Sequence, residues 1–409
     1  MRYVCIGNSA GAVGAAEAIR KYGGQGEIVF ISDEPHHTYS RPLISYLLLG
    51  RTTEERMRYR GASFYDDLGI ELKAPVKAVA IDLPKKRVIL EGGEEEPYDK
   101  LLVATGSLPF IPAAEGLNRV KKVFSFMSLD DAKALEKAIC PESRVLIIGA
   151  GLIGLKCAES LLERVKGIDV VDLAPRILSS ILDEEGALIV QRHLADKGVA
   201  FHLAQSASSF EEGRAILSGG RTLDFDILVM AVGVKPNVDL AKAAGLEVGR
   251  GIIVNSRMET SAPDVYAAGD CTQSVDASSG VSKIMALLPN AYMQGECAGA
   301  NMAGEKASFT KAISMNAIGF FGLHILTAGT YAGDSYLESD GNRYKKLFYS
   351  GNRLNGFILI GSEDRAGVYT SLIRDQTPLD EVDFDLLCRQ PSLAAFARQA
   401  RAAKLGGAQ

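Results

Sequence analysis

The sequence contains few cysteines, and no two of them lie close together. Six cysteines are distributed over 409 residues, and none forms a Cys-x-x-Cys pair. Zinc sites, iron–sulfur clusters bound by one local motif and disulfide scaffolds all require such clustering, so the sequence argues against each of them. We expect no metal site, and we expect most cysteines to be buried as small apolar side chains. The six are Cys5, Cys140, Cys157, Cys271, Cys297 and Cys388.

The sequence also lacks long apolar runs and any large excess of charge. Its apolar runs have the length of strands, and the first residues read as the start of a folded domain rather than as a charged and apolar leader. We therefore expect no signal peptide, no membrane span and a cytoplasmic location. The formal net charge of -5 gives no indication of nucleic-acid binding. With 47% hydrophobic residues, the chain is long enough for two or three domains.

The strongest positive signal is a glycine fingerprint that follows the apolar run 145–148. A strand, a tight glycine turn and a helix in this order form a dinucleotide-binding unit, in which the glycines admit a pyrophosphate close to the backbone. The amino end of the helix supplies N–H donors to the phosphates. The residues of this fingerprint predicted to bind the cofactor are Gly149, Gly151, Leu152, Ile153 and Gly154.

An acidic residue follows this fingerprint at the spacing of a ribose-binding carboxylate. The apolar pair Val170 and Val171 leads into Asp172, about twenty residues after the glycines, where a carboxylate accepts hydrogen bonds from both ribose hydroxyls. Because a 2′-phosphate would be repelled there, the sequence predicts NAD(H) rather than NADP(H). Arg176 lies nearby and would soften this preference if it faced the ribose.

A second, less regular glycine turn follows the strand-like residues 3–6. Ser9 and Ala12 occupy the second and third glycine positions, so the turn alone is a weak signal. Its context supports it, because a helix-like segment follows and the next apolar strand ends at Asp33 and Glu34, again the ribose position. An ordinary glycine turn in an α/β unit is the alternative. The predicted cofactor-binding residues of this turn are Gly7, Ser9, Ala10 and Gly11.

Two later features indicate how these units are arranged. Segment 98–106 is similar to segment 227–237, which suggests two related folding units, and segment 265–271 returns to the first unit after the second has ended. We expect an α/β fold with two Rossmann-like, three-layer dinucleotide-binding domains, the second inserted in the first, and a small C-terminal α+β domain. The expected bounds of these domains are 1–108 with 252–312, then 109–251, and finally 313–409.

Four segments resemble the FAD-dependent pyridine nucleotide–disulfide oxidoreductase superfamily, and the resemblance extends over essentially the whole chain. The branch that it resembles contains NADH:rubredoxin reductases, ferredoxin reductases, NADH oxidases and the flavin domains of nitrite reductases. The resemblance implies that the first domain binds FAD and that the second binds NAD. The four segments are 33–43, 104–106, 269–270 and 288–295.

By this resemblance Asp33 holds the adenosine ribose of FAD, Arg41 the diphosphate region and Asp270 a ribityl hydroxyl. A helix beginning near Asn290 directs its amino end at the N1/O2 edge of the flavin, where a positive helix end stabilises the charge of the reduced flavin. The open alternatives are that Asp270 caps a helix and that Arg41 forms a surface salt bridge. Further cofactor contacts are expected at Glu34, Pro42, Val79, Ala104, Thr105, Gly106, Val232, Gly233, Gly269, Pro289 and Ala291.

The departures from the family pattern concern the redox residues. Where relatives carry one or two redox cysteines, segment 41–46 contains none, so thiol chemistry at the flavin is disfavoured. Related electron-transfer members have a lysine and a glutamate at the flavin N5 edge, whereas this chain has Tyr46 and Lys156, which become the candidate catalytic residues. We expect Lys156 to hydrogen-bond near N5 or the nicotinamide carboxamide, with Glu159 or another carboxylate nearby. The alternative is a lysine that extends along the helix to solvent.

These features together imply an FAD-dependent NADH:acceptor oxidoreductase. Hydride passes between NAD(H) and FAD, and electrons are exchanged with an iron–sulfur protein or a partner redox subunit, including one of a molybdenum or tungsten enzyme. The C-terminal region would form the docking surface or the interface of a homodimer. Two alternatives stay open, namely an NADH oxidase that reduces dioxygen and an NADH-sensing interaction flavoprotein in which assembly responds to the nucleotide.

Overall fold

The computed structural model describes residues 1–341, 343–362, 365–397 and 401. None of the helices in this part of the chain combines the length and the apolar character needed to cross a membrane. The described α-helices are α1 (Ala10–Lys21), α2 (Ile44–Leu48), α3 (Phe64–Leu68), α4 (Leu129–Ala138), α5 (Leu152–Leu161), α6 (Glu184–Asp196), α7 (Asp239–Ala243), α8 (Leu288–Met302), α9 (Ala366–Asp375) and α10 (Phe384–Arg389).

The strands fall into three groups along the chain. The first group comprises β1 (Arg2–Ile6), β2 (Glu27–Ile31), β3 (Ile70–Lys73), β4 (Ala78–Asp82), β5 (Arg87–Leu90), β6 (Glu95–Pro97), β7 (Lys100–Val103) and β8 (Ser107–Pro109). The second group comprises β9 (Val123–Phe124), β10 (Arg144–Ile148), β11 (Gly167–Val171), β12 (Val199–His202), β13 (Ala207–Glu211), β14 (Arg214–Leu217), β15 (Thr222–Asp224), β16 (Ile227–Met230), β17 (Val234–Pro236), β18 (Ile252–Ile253), β19 (Val265–Ala267), β20 (Thr272–Val275) and β21 (Ser282–Lys283). The third group comprises β22 (Met315–Phe320), β23 (Leu323–Gly329), β24 (Asp334–Ser339), β25 (Tyr344–Ser350) and β26 (Arg353–Ile360).

The first parallel sheet has the strand order β3-β2-β1-β7-β19. Its inner strands are continuous buried apolar runs, as expected where both faces of a sheet are covered. The chain leaves this sheet after β7, builds the second sheet and then returns, so that Val265 in β19 lies beside Leu101 in β7. The return that the sequence predicted is therefore present.

The second parallel sheet, β12-β11-β10-β16-β9, repeats this arrangement. In both sheets the strand before the glycine turn pairs on one side with the strand that ends at the acidic residue, and on the other side with the closing strand. A three-stranded antiparallel meander precedes each closing strand, with β4-β5-β6 before β7 and β13-β14-β15 before β16. The similarity of the two closing segments reflects this repeated architecture.

The C-terminal sheet is antiparallel and has the order β22-β23-β26-β25-β24. Its β25–β26 hairpin was predicted from the sequence, and Gly351 and Asn352 form the turn with positive φ angles of 55° and 62°. On one face α9 packs against the sheet, where Tyr369 and Ile373 share a core with Phe357. The fold is thus the predicted α/β architecture with a smaller C-terminal α+β unit.

The other face of the C-terminal sheet shares a core with the second parallel sheet and with α2, through Phe320 and Ile360. Asp183 strengthens this junction because it caps α6 through Gly186 N–H at 3.0 Å and accepts hydrogen bonds from two residues of β25. These bonds come from Tyr344 Oη at 2.6 Å and Lys346 Nζ at 2.9 Å. Burial alone would raise the pKa of Asp183, but these donors hold it below its ordinary value.

Helices α1 and α8 cross at very short range, and glycines make the crossing possible. A Cβ atom on Gly295 would lie 2.0 Å from the carbonyl oxygen of Gly11, and one on Gly299 would lie 2.2 Å from that of Ala15. On α1, a Cβ on Gly14 would lie 2.3 Å from the carbonyl oxygen of Tyr292. The amino ends of both helices are thereby fixed relative to the first sheet.

Candidate functional site

The second glycine turn has the shape of a dinucleotide site. Gly149 has φ of 115°, and a Cβ there would lie 2.2 Å from the carbonyl oxygen of Ala231 at the end of β16. A Cβ on Gly154 would lie 2.0 Å from the oxygen of Gly149, so this glycine lets α5 pack on the turn. Around Gly151 no described atom lies within 4 Å of a Cβ position. The open position is the one at which a pyrophosphate approaches the backbone, so the turn fits a dinucleotide.

The amino end of α5 is likewise available to a ligand. Gly151 is the N-cap residue, and no described side chain caps the helix, whose first turn contains Leu152 and Ile153. The positive end of the helix dipole therefore faces the open side of the turn. Val232 and Gly233 follow β16 at the same sheet edge, where Val232 is exposed and Gly233 has φ of 121°.

Asp172 is fixed beside this turn by backbone N–H groups. Its Oδ2 accepts from Ala150 N at 2.6 Å and its Oδ1 from Ala174 N at 2.7 Å. The carboxylate thus lies at the carboxyl end of β11 and is oriented before any ribose binds. Arg176 donates instead to the carbonyl oxygens of Leu182 and Ser179 in its own loop, at 3.4 and 3.5 Å.

The first glycine turn has the same construction despite its irregular sequence. Gly7 has φ of 128°, and a Cβ there would lie 2.3 Å from the carbonyl oxygen of Ala104, the residue after β7. Ser9 is the N-cap of α1 but makes no capping hydrogen bond through its side chain, which leaves the helix start at Ala10 open. A Cβ on Gly11 would make only ordinary contacts at 3.6 Å. The equivalence with Gly149 and Ala231 supports a second dinucleotide at this turn.

The two acidic residues that follow β2 have different surroundings. Asp33 is exposed, whereas Glu34 forms an ion pair with Arg41 and accepts a hydrogen bond from Tyr39 Oη at 2.7 Å. The same Tyr39 oxygen accepts from Leu129 N at 3.0 Å. Glu34 therefore links this loop to the start of α4, whereas the carboxylate of Asp33 is open to solvent.

The contacts of Arg41 are compatible with both predicted roles, a contact with the diphosphate region and a salt bridge. It forms the salt bridge with Glu34 and also donates to the carbonyl oxygen of Met127 at 3.3 Å. Its charge acts on Asp270 as well, since it opposes the rise in the pKa of that carboxyl. Pro42 lies in the 3-10 turn Arg41–Leu43, which leads directly into α2.

Asp270 is a half-buried carboxyl and not a helix cap. It lies in the turn before β20, accepts from Ser107 Oγ at 3.2 Å, and burial raises its pKa above the ordinary value. The preceding Gly269 has φ of 86° and donates its N–H to Gln294 Oε1 at 2.7 Å. The helix-cap alternative for Asp270 is therefore wrong.

The turn after β7 lies next to the crossover between the two nucleotide units. Thr105 Oγ1 donates to the carbonyl oxygen of Asn237 at 2.7 Å, and Asn237 N donates to that of Gly106 at 2.9 Å. Beyond it β8 pairs with β17 in antiparallel fashion. No role was predicted for the side chains of Asn237, Ser107 or Gln294, because their partners lie in distant segments.

The amino end of α8 carries an unsatisfied polar atom. Asn290 is 1% exposed, and its Nδ2 donates to the carbonyl oxygen of Ile313 at 3.1 Å. Its Oδ1 is buried and has no hydrogen-bond partner among the described residues. A buried acceptor beside the uncapped helix start, with Pro289 and Ala291, fits a polar ligand that supplies a donor.

Val79 lies apart from these groups, at a bulge of β4 where its side chain is 49% exposed. The segment before β4 is linked to the first nucleotide unit by a hydrogen bond from Val76 N to Ser32 O at 2.7 Å. The structure thus places Val79 in the meander beside the end of β2.

Lys156 is part-buried in a cluster of contacts from three segments. Its Nζ forms an ion pair with Glu159, donates to Gly319 O at 3.1 Å and lies 4.8 Å from the centroid of the Tyr46 ring. The Lys156 side chain is 13% exposed. The prediction of a nearby Glu159 is confirmed, and the alternative of a solvent-facing lysine is wrong.

The cysteines offer no reactive thiolate near these turns. Five of the six are buried, and only Cys140 is exposed. Burial raises the pKa of Cys5 to about 12 and that of Cys271 to about 11, and it also raises the pKa of Cys157 in α5. Among the described residues no group of three or more histidine, cysteine or acidic side chains is arranged to bind a metal.

Comparison with known proteins identifies the family. Residues 1–295 match the model of the pyridine nucleotide-disulphide oxidoreductases. The epsilon subunit of NADH-dependent phenylglyoxylate dehydrogenase from Aromatoleum evansii is 30% identical over 393 residues, which cover 92% of each chain. The NADH oxidase of Methanocaldococcus jannaschii is 34% identical over 323 residues, covering 76% of this chain and 71% of that protein.

The fold comparison agrees with the sequence comparison. The ferredoxin reductase for the CYP199A2 system from Rhodopseudomonas palustris superposes with a TM-score of 0.86 at 25% identity, covering 98% of this chain and 100% of that one. The protein is an FAD- and NAD(H)-dependent oxidoreductase, as the resemblance implied. The chain belongs to the pyridine nucleotide-disulphide oxidoreductase family.

Proposed function

We propose that this protein is the NADH-oxidising component of an electron-transfer pair and reduces a separate iron–sulfur protein or redox subunit. The observation that carries the proposal is the presence of two open glycine turns without an accessible thiol beside them. Bound FAD supplies hydride acceptance from NADH and the ability to release electrons singly. With no cysteine relay, electron transfer from the flavin to the partner is direct.

The residues of the chain bind and orient the two dinucleotides in this proposal. Asp33 and the first glycine turn hold the adenosine half of FAD, while Asp270 and the amino end of α8 hold its other half. Asp172 and the second glycine turn hold NAD(H), and the fixed carboxylate favours it over NADP(H). The proposed domain bounds are 1–108 with 252–312, 109–251 and 313–409, and the membership of strands in the three five-stranded sheets supports this division.

The names of the relatives support a partner subunit as the acceptor. The relative from Aromatoleum evansii is named as one subunit of an NADH-dependent dehydrogenase, and it matches this chain over almost its full length. The C-terminal sheet and its helices would then supply the docking surface, with a homodimer interface as the alternative use of this region.

A variant at Gly151 tests nucleotide binding without disturbing the fold. Because a side chain there meets no described atom within 4 Å, Gly151→Val should fold and bind FAD but exclude the NADH pyrophosphate. Gly167→Val is the matched control, since that position is equally open but lies at the opposite end of β11 from Asp172. Anaerobic bleaching of the flavin by NADH should be lost in the first variant only. Full bleaching in Gly151→Val would contradict the proposed site.

Dioxygen is the second candidate acceptor, because a relative at 34% identity is named an NADH oxidase. The two functions are separated by measuring NADH consumption with a small iron–sulfur protein under anaerobic conditions and with dioxygen alone. Electron transfer to a partner predicts that the first rate greatly exceeds the second. The opposite ratio would favour the oxidase, and slow turnover with NADH-dependent assembly would favour a sensor.

A further inference from the structure

The ion pair of Lys156 and Glu159 lies where the two nucleotide-binding units meet. Lys156 is in the second turn of α5, the helix that starts at the second glycine turn. The ring that it covers, Tyr46, belongs to α2, which follows the Arg41–Leu43 turn of the first unit. The ammonium group therefore lies between segments that lead from both cofactor sites.

Glu159 holds this ammonium group in an ion pair and also accepts a hydrogen bond from the C-terminal region. One carboxylate oxygen pairs with Lys156, and the other accepts from Phe321 N at 2.6 Å. The Glu159 side chain is 5% exposed. Keeping a buried carboxylate charged costs free energy unless well-oriented partners pair with both of its oxygens. Here one carboxylate ties α5 to the turn after β22 and orients Lys156 at the same time.

The ion pair also changes the electrostatic role expected for the lysine. With Glu159 bound, the pair carries no net charge, so it acts on its surroundings through directed N–H bonds rather than as a free cation. One N–H is used by Glu159 and one by Gly319 O at 3.1 Å, while the Tyr46 and Phe320 rings lie beside the group at 4.8 and 5.5 Å. An ammonium group has three N–H donors, and the described residues supply oxygen acceptors for two of them, which leaves the third for a cofactor.

We infer that Glu159 is a positioning residue for Lys156. Its contacts with Lys156 and with Phe321 N, in the turn after β22, hold the third N–H of Lys156 toward the bound cofactors. The inference rests on the proposed role of Lys156 at the flavin. It makes the redox properties of the flavin depend on a carboxylate that does not itself touch the flavin.

The test measures the flavin midpoint potential in Glu159→Gln, Lys156→Gln and the double variant. Glutamine at 159 removes the negative charge and releases the lysine, so the potential should rise by about 30 mV, which is a tenfold change in a two-electron equilibrium. In the Lys156→Gln background the same substitution should shift the potential far less. Both changes keep side-chain length near that of the native residue, which protects folding. Lys346→Met, which breaks the ion pair to Asp183, is the control and should leave the potential unchanged.

The outcomes distinguish the inference from the proposed function. An equal shift in both backgrounds would mean that Glu159 acts without Lys156 and would overturn the inference. A shift in Lys156→Gln with none in Glu159→Gln would overturn the inference while leaving the role of Lys156 intact. If neither variant shifts the potential, both ideas about Lys156 fail, although NADH-dependent reduction of a partner protein would still stand on its own assay.

Discussion

Replacing Gly295 with alanine should separate two helices that both lead into the flavin site. The new Cβ would lie 2.0 Å from the carbonyl oxygen of Gly11, whereas real Cβ contacts essentially never fall below 3.0 Å. Helix α8 must therefore move from α1 by about 1 Å at this point, because a carbonyl oxygen in a helix has no free rotation to yield. The neighbouring contacts of Gly299 and Gly14 are equally short and restrict how the helices can tilt.

The size of the effect follows from two opposing terms. Overpacking of a close contact costs about 1–3 kcal/mol, while alanine is favoured over glycine inside a helix by about 1 kcal/mol. The net loss should be at most about 2 kcal/mol, and it falls on the unit that holds the amino ends of α1 and α8. We therefore expect a lower FAD content as well as a lower unfolding temperature.

The measurement compares Gly295→Ala with Gly367→Ala by thermal unfolding and by the ratio of flavin to protein absorbance. Gly367 lies in α9, and a Cβ there meets no described atom within 4 Å, so only the helix-propensity gain should appear. If Gly295→Ala retains FAD and is as stable as Gly367→Ala, the close crossing of α1 and α8 cannot be what holds the flavin site together.

Three further predictions concern charges and thiols. Lys156→Met should cost about 3–5 kcal/mol by leaving Glu159 buried and unpaired, and adding Glu159→Gln should recover most of it in equilibrium unfolding. Burial raises the pKa of Asp270 above its ordinary value of 3.8, so the folded apoprotein binds this proton more tightly than the unfolded chain does. The free energy of unfolding should therefore fall as the pH rises from 3.8 through the folded pKa. Asp270→Asn should lack this loss when melting is measured as a function of pH. In a thiol-labelling assay only Cys140 should react rapidly, and its modification should not affect NADH oxidation.

The sequence predicted the repeated nucleotide units because their signals are local. A buried strand, a glycine turn and a helix occupy consecutive residues, and the acidic residue follows at a fixed spacing. The degenerate first turn shows the limit of this approach, because Ser9 and Ala12 stand where glycines were expected. Only Gly7 is geometrically essential in this turn, since a Cβ there would collide with Ala104 O, and the sequence has glycine at this position.

Roles that depend on distant contacts were not readable in the same way. Asp33 and Glu34 are adjacent and chemically similar, and only the family resemblance assigned them different roles. In the structure Glu34 pairs with Arg41 and accepts from Tyr39, which in turn accepts from Leu129 N, and these contacts join segments distant in sequence. Likewise, the cap by Asp183 reaches β25 across 161 residues of sequence, far beyond any periodic pattern.

Lys156 shows how such distant contacts decide chemistry as well as packing. Its position on α5 follows from the glycine turn, but a lysine at that position on an isolated helix would extend to water. The carbonyl of Gly319 and the N–H of Phe321, more than 160 residues away in sequence, instead hold the lysine and its carboxylate partner in the interior. Because the pair is buried and neutral as a unit, any change in the turn after β22 alters a directed hydrogen bond rather than a screened charge. The C-terminal sheet is therefore linked directly to the helix that begins at the second glycine turn.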